Sequence, residues 1–111
     1  MNYDKENIFA KILNGEVPCD KVFENDYVLS FKDINPKAKT HLLIIPKVPF
    51  IDISDFLQNA DKLYQSKFWE SVDEIINNLR FRDKGFQIKT HKGKDGGQEV
   101  FHFHLHLLAN V

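Results

Sequence analysis

The sequence predicts an α+β fold, an antiparallel sheet with one short N-terminal helix and one long helix. Three observations predict it. Apolar residues recur at helical spacing near the start and again across residues 59–80. Short β-like runs lie between and after these stretches, so the order is helix, strands, long helix, strands. The last run, Phe101-His102-Phe103-His104-Leu105-His106-Leu107, alternates with a period of two.

Each element follows from local chemistry. Ile8, Phe9, Ile12 and Leu13 form a helical stripe after Asp4, a candidate N-cap, and Gly15 can close the C-terminus. Pro18 breaks the chain, and Asp20–Glu24 and Tyr27–Lys32 are strand-like runs around Asn25-Asp26, a hairpin turn signal. Asp33-Ile34-Asn35-Pro36 is a loop, and His41–Ile45 is a buried strand stopped by Pro46. Ser54-Asp55 starts a helical region whose main body is Asn59–Arg80, with Val72, Ile75, Ile76 and Leu79 on one stripe. Phe86–His91 is a strand, Lys92–Gly97 a polar glycine-rich loop, and Gln98–Leu108 the last strand.

Composition narrows the function. The 111 residues are expected to form a single domain, 1–111, which at this length buries roughly two-thirds of its surface. A formal charge of −1 argues against a dedicated nucleic-acid surface. Apolar runs such as Leu42-Leu43-Ile44-Ile45 are too short to span a bilayer, and the polar, acidic N-terminus does not read as a signal peptide. A lone cysteine, Cys19, fits a reducing, cytoplasmic compartment. Ten phenylalanines point to aromatic packing of sheet against helix.

The alternating strand carries the chemistry. Side chains at i, i+2 and i+4 share one face, so His102, His104 and His106 form a row at ~6.6 Å spacing. Phe101, Phe103, Leu105 and Leu107 take the other face and pack on the long helix, and Glu99 points the same way in a regular strand. His41, at the head of another strand, could join the row. Such a row could be merely a polar outer face, a metal site, or an acid–base and nucleophilic centre for an anionic substrate. The preceding Gly93-Lys94-Asp95-Gly96-Gly97-Gln98 favours the third, because paired glycines let backbone N–H groups cradle an anion.

The run Gly96-Gly97-Gln98-Glu99-Val100-Phe101-His102-Phe103-His104-Leu105-His106-Leu107 resembles the signature of the histidine triad (HIT) family. Asn7–Ile12, Val22–Asp26, Phe31–Pro36 and Thr40–Lys47 resemble further family segments, so the resemblance covers nearly the whole chain. The Gly-Gly-Gln form points to the histidine triad nucleotide-binding branch, whose members hydrolyse purine nucleoside phosphoramidates. The resemblance implies a HIT-like fold with about five strands, a homodimer, and no cofactor or metal. It implies that His104 attacks the α-phosphorus to form a nucleotidyl-histidine intermediate, with its other ring nitrogen held by the His102 carbonyl. His106 would contact phosphate or leaving group, His102 and His41 would form a hydrogen-bonded pair, and Gln98 would lie near the leaving atom. Asp33 would accept from the ribose hydroxyls. Phe9, Ile12, Phe31, Ile34 and Leu43 would wall the base pocket, and Gly97, Glu99 and His91 would complete the nucleotide site.

The expected ligand is a purine nucleotide, an adenosine or guanosine monophosphate derivative, and the expected activity is metal-independent phosphoramidate hydrolysis. A regulatory nucleotide-binding dimer, a dinucleoside polyphosphate hydrolase and a metal-dependent hydrolase are the alternatives. Three features depart from family patterns. His91 stands where the branch has asparagine, which makes nucleotide affinity sensitive to pH. Ala109-Asn110 replaces a glycine pair close to the end at Val111, which bears on leaving-group choice. The region near Phe9 lacks the cysteines of zinc-binding members, and Cys19 is expected to be a small packing or surface residue rather than a catalytic one.

Overall fold

The computed structural model describes residues 1–111. Five strands, β1 (Lys21–Glu24), β2 (Val28–Lys32), β3 (Thr40–Pro46), β4 (Gln87–Lys89) and β5 (Leu105–Ala109), form one sheet. Its order is β1-β2-β3-β5-β4, and every pairing is antiparallel. Three helices, α1 (Ile8–Leu13), α2 (Ile53–Asn59) and α3 (Lys62–Asn78), complete the α+β architecture.

Strand alternation divides the core in two. Leu42 and Ile44 of β3 join Val28, Leu105 and Leu107 on the face covered by α2 and α3, where Phe56, Phe68, Val72 and Ile75 meet them. Phe103 stacks on Phe56 with ring centroids 4.8 Å apart and lies 5.5 Å from Phe68. Leu43 and Ile45 point the other way, with Leu29 and Phe31, toward Phe9 of α1. Burying each of these side chains stabilises the fold by ~1.5–3 kcal/mol. No helix is long and apolar enough to cross a membrane.

Several boundaries differ from the sequence expectation. The N-cap of α1 is Asn7, whose Oδ1 accepts from the Ala10 N–H, because Asn7 directly precedes the first helical residue. Asp4 instead accepts from the Glu6 N–H. Gly15 follows the helix at φ +77°, as a closing glycine should. The long helical region is two helices. Ala60 is extended (ψ 135°), and Asp61 starts α3 by accepting from the Tyr64 N–H. Asp52 caps α2, so that helix begins before Ser54. Arg80, at φ +61°, lies outside α3 because that conformation cannot continue a right-handed helix.

Pro46 is the last residue of β3, not a residue beyond it. The strand expected over 86–91 pairs only at Gln87–Lys89. The strand expected over 98–108 is also shorter than expected, Leu105–Ala109, since Gln98–His104 leaves the sheet and pairing begins at Leu105. In that segment the Phe103 N–H bonds to the Phe50 carbonyl (2.7 Å) rather than to a neighbouring strand. Phe103, Leu105 and Leu107 still pack toward α3, whereas Phe101 is only half-buried and stays outside the core cluster.

Candidate active site

The sheet face turned to α1 opens into a cleft of about 740 Å³. The β3–β5 pairing sets its floor: Leu43 lies opposite His106, and His41 lies opposite Leu108. Phe9, Ile12, Phe31 and Leu43 form an apolar wall. Phe9, Phe31 and Leu43 serve the smaller core on one side and the cleft on the other. Ile34 is 91% exposed at the rim. Asp33, His41, His91, His104 and His106 supply polar groups.

Hydrogen-bond partners assign the tautomer of each central imidazole. His102 is fully buried, and its Nε2 lies 2.8 Å from the Pro46 carbonyl, an acceptor, so Nε2 carries the proton. Its Nδ1 then accepts from the Tyr3 hydroxyl at 2.6 Å. His104 donates from Nδ1 to the His102 carbonyl at 2.7 Å, which leaves the Nε2 lone pair free toward the cleft. His41 Nδ1 accepts from the Lys37 N–H at 3.0 Å, so its proton sits on Nε2. That Nε2–H donates to His106 Nδ1 at 3.0 Å, and Asp33 Oδ2 lies 3.4 Å from the same nitrogen. Neutral His106 therefore presents a donor, Nε2–H.

Burial is the main reason all four rings resist protonation. It lowers His102 to about 4, and it lowers His106 to about 4 with help from His104, His41 and His91. His104 and His41 are also lowered, chiefly by burial, with Asp33 opposing the effect at both. At neutral pH the cluster is therefore uncharged, and His104 Nε2 is available as a nucleophile.

The expected His102–His41 pair does not form. His41 stands near the start of β3 and bonds to His106, while the His102 ring reaches Pro46 at its far end, ~17 Å away along a strand. Gln98 is also placed differently. It is buried, its Oε1 accepts from the Gly93 N–H, and its Nε2 donates to the carbonyls of Ile51 and Val100. Its amide is thus taken up in bracing the loop and does not line the cleft. Glu99 does line it, contrary to the strand geometry expected, because residues 98–104 are irregular. Gly97 holds φ +85°, a conformation that favours glycine, and the His91 ring lies 3.7 Å from where a Cβ would sit, an ordinary contact, so backbone conformation rather than space calls for glycine here. The His91 and His106 ring centroids are 5.5 Å apart. Asp33 lines the cleft and also makes the loop turn, its Oδ1 accepting from the Asn35 N–H.

Sequence reasoning missed Tyr3, the Lys37 amide, Lys89, and the cleft wall at Val17, Pro18, Cys19 and Val100. Lys89 had a signal, since it lies two residues from His91 and shares its face in a strand. Tyr3 had none, being 99 residues from His102. Asp33, His41 and His106 bring ligand-type atoms within 4.8 Å of one another, a separation that would suit a metal ion. The donor chemistry does not suit one, because the Lys37 N–H occupies the lone pair of His41 Nδ1 and leaves Nε2 protonated.

The fold and cleft define an α+β domain that displays a neutral histidine cluster, with one free imidazole lone pair, on His104, in a preformed pocket. The HIT domain family model matches residues 14–111, and the chain belongs to the HIT family. An uncharacterised HIT-like protein of Azospirillum brasilense is 41% identical over 107 residues, 96% of this chain and 88% of that protein. The purine nucleoside phosphoramidase of Escherichia coli K12 is 34% identical over 105 residues, 95% of this chain and 87% of that enzyme. A crystal structure of a HIT family hydrolase from Legionella pneumophila superposes with a TM-score of 0.86 at 36% identity, covering 96% of this chain and 94% of that one. The chain is thus similar to hydrolases in both sequence and fold.

Proposed function

We propose that the protein is a metal-independent hydrolase of purine nucleoside 5′-phosphoramidates that works through a nucleotidyl-histidine intermediate. One observation carries the reading: His104 has Nδ1–H fixed on the His102 carbonyl and a free Nε2 lone pair in the cleft. His104 Nε2 attacks the α-phosphorus, the P–N bond breaks with its electron pair going to the amine, and the amine leaves with a proton taken from solvent, which the attacking water returns when the adduct is hydrolysed. His106 Nε2–H donates to the phosphoryl group or the departing amine. Water then cleaves the N–P bond, releasing the nucleoside monophosphate and restoring His104. The purine lies against Phe9, Ile12, Phe31 and Leu43, with Ile34 at the rim, and Asp33 accepts from the ribose. The similarity to a purine nucleoside phosphoramidase supports the substrate class.

A homodimer in the cytoplasm fits this reading. The edge strand β4 leaves Ile88 exposed beside Phe86, and α3 leaves Leu63 and Trp69 exposed. A monomer mass by light scattering at micromolar concentration would contradict the dimer. The activity is tested with a lysine-linked adenosine phosphoramidate, followed by mass analysis of product and protein. Adenosine monophosphate and a transient adduct on His104 are expected, unaffected by chelator. His104→Ala should lose at least ~10³-fold in kcat yet bind adenosine monophosphate. Faster cleavage of a dinucleoside polyphosphate would reassign the substrate, and binding without turnover would make the protein a nucleotide-binding regulator.

A further inference from the structure

The segment that anchors the nucleophile is not held by the sheet. Pairing of β5 starts at Leu105, so neither His102 nor His104 is paired in the strand ladder, and the sheet side holds only the His104 carbonyl, which accepts from the Thr90 hydroxyl at 2.7 Å. The His102–Phe103 peptide is instead clamped from three directions. Its N–H, from Phe103, bonds to the Phe50 carbonyl at 2.7 Å, and its carbonyl accepts from His104 Nδ1. The third restraint is the buried His102 ring, pinned between the Pro46 carbonyl and the Tyr3 hydroxyl.

We infer that Tyr3 is a positioning residue for the reaction, acting through His102 on the tautomer and aim of His104. The inference rests on the hydrolase reading above for its kinetic consequence. Neither Tyr3 nor His102 lines the cleft, so neither can act by touching substrate. The hydroxyl can act only through the imidazole that it bonds. That imidazole has two nitrogens and two satisfied bonds, each with a defined direction: Tyr3 O–H to Nδ1, and Nε2–H to Pro46. Without the hydroxyl, Nδ1 is a buried acceptor with no partner, which favours rotation of the ring or admission of water. Either change moves the His102 peptide, and with it the carbonyl that keeps the His104 proton on Nδ1. Burial raises the phenol's pKa, so Tyr3 remains a donor through neutral pH. The Tyr3 ring also packs edge-on to the His102 ring at a centroid distance of 5.6 Å. Tyr3→Phe therefore keeps the ring contact and deletes only the hydrogen bond.

The test compares wild type and Tyr3→Phe by steady-state kinetics on the lysine-linked adenosine phosphoramidate and by ¹⁵N imidazole spectra of the free protein. The expected result has two parts. The kcat falls about tenfold while KM stays within about twofold, since no cleft contact is lost. In the spectra, His102 Nδ1 loses its hydrogen-bonded shift, and His104 no longer holds a single Nδ1–H tautomer. An unchanged kcat, or an unchanged His104 tautomer, overturns the inference. The spectra need no substrate, so they decide it even where the wild type fails to turn over the phosphoramidate, an outcome that instead overturns the hydrolase reading.

Discussion

His41 Nε2 lies 3.0 Å from His106 Nδ1, and the proton between them belongs to His41 because the Lys37 N–H already occupies His41 Nδ1. A backbone amide in the loop before β3 thus sets which nitrogen of His106 faces the cleft as a donor. His41→Phe keeps an aromatic ring but removes both bonds. It should lower kcat for the phosphoramidate about tenfold and leave His106 as a mixture of tautomers in ¹⁵N spectra. Wild-type kinetics in that variant would show that His106 needs no such constraint.

Stability should fall in mild acid. His102 and His106 are held at about 4 in the native state, against 6.5 for a histidine in water. Between those limits the unfolded chain binds protons that the folded chain refuses, so unfolding is favoured as pH drops through the window. His41 and His104, lowered in the same direction, add to the effect. Thermal unfolding at successive pH values should give a flat Tm contribution above about pH 6.5 and a decline below it. A Tm that holds steady from pH 7 to pH 5 would contradict the buried, neutral cluster.

Gln98→Ala should damage the loop more than the chemistry. The substitution deletes three hydrogen bonds, to Gly93, Ile51 and Val100, and leaves half-buried partners unpaired. A loss of ~1–3 kcal/mol in denaturant unfolding is expected. An unchanged unfolding midpoint together with lost turnover would return Gln98 to the phosphate.

Much of the frame was legible because it depends on local periodicity. The apolar stripe of α3, the alternation of β3 and the Phe103-Leu105-Leu107 face all follow from side chains that repeat with the backbone. Breaks were less legible. Ala60-Asp61 divides α2 from α3, yet alanine is a strong helix former, and only the Asp61–Tyr64 cap reveals the restart. The departure of Gln98–His104 from the sheet was hidden as well, because its alternation imitates a strand while Phe103 bonds to Phe50 instead.

By itself the sequence determined that His104 and His106 share a face across from Leu105, and that Phe9, Phe31 and Leu43 are apolar enough to wall a cleft beside them. Period-two geometry needs only neighbours in the chain. Tertiary structure alone decided which histidine meets which. His41 reaches His106 and not His102, Tyr3 reaches His102 across 99 positions, and Glu99 turns toward the cleft. The physical reason is that a hydrogen bond depends on atoms meeting within ~3 Å in a set direction. Where strands end and which loop amide is nearby fix that geometry, and neither is encoded in the spacing of the histidines.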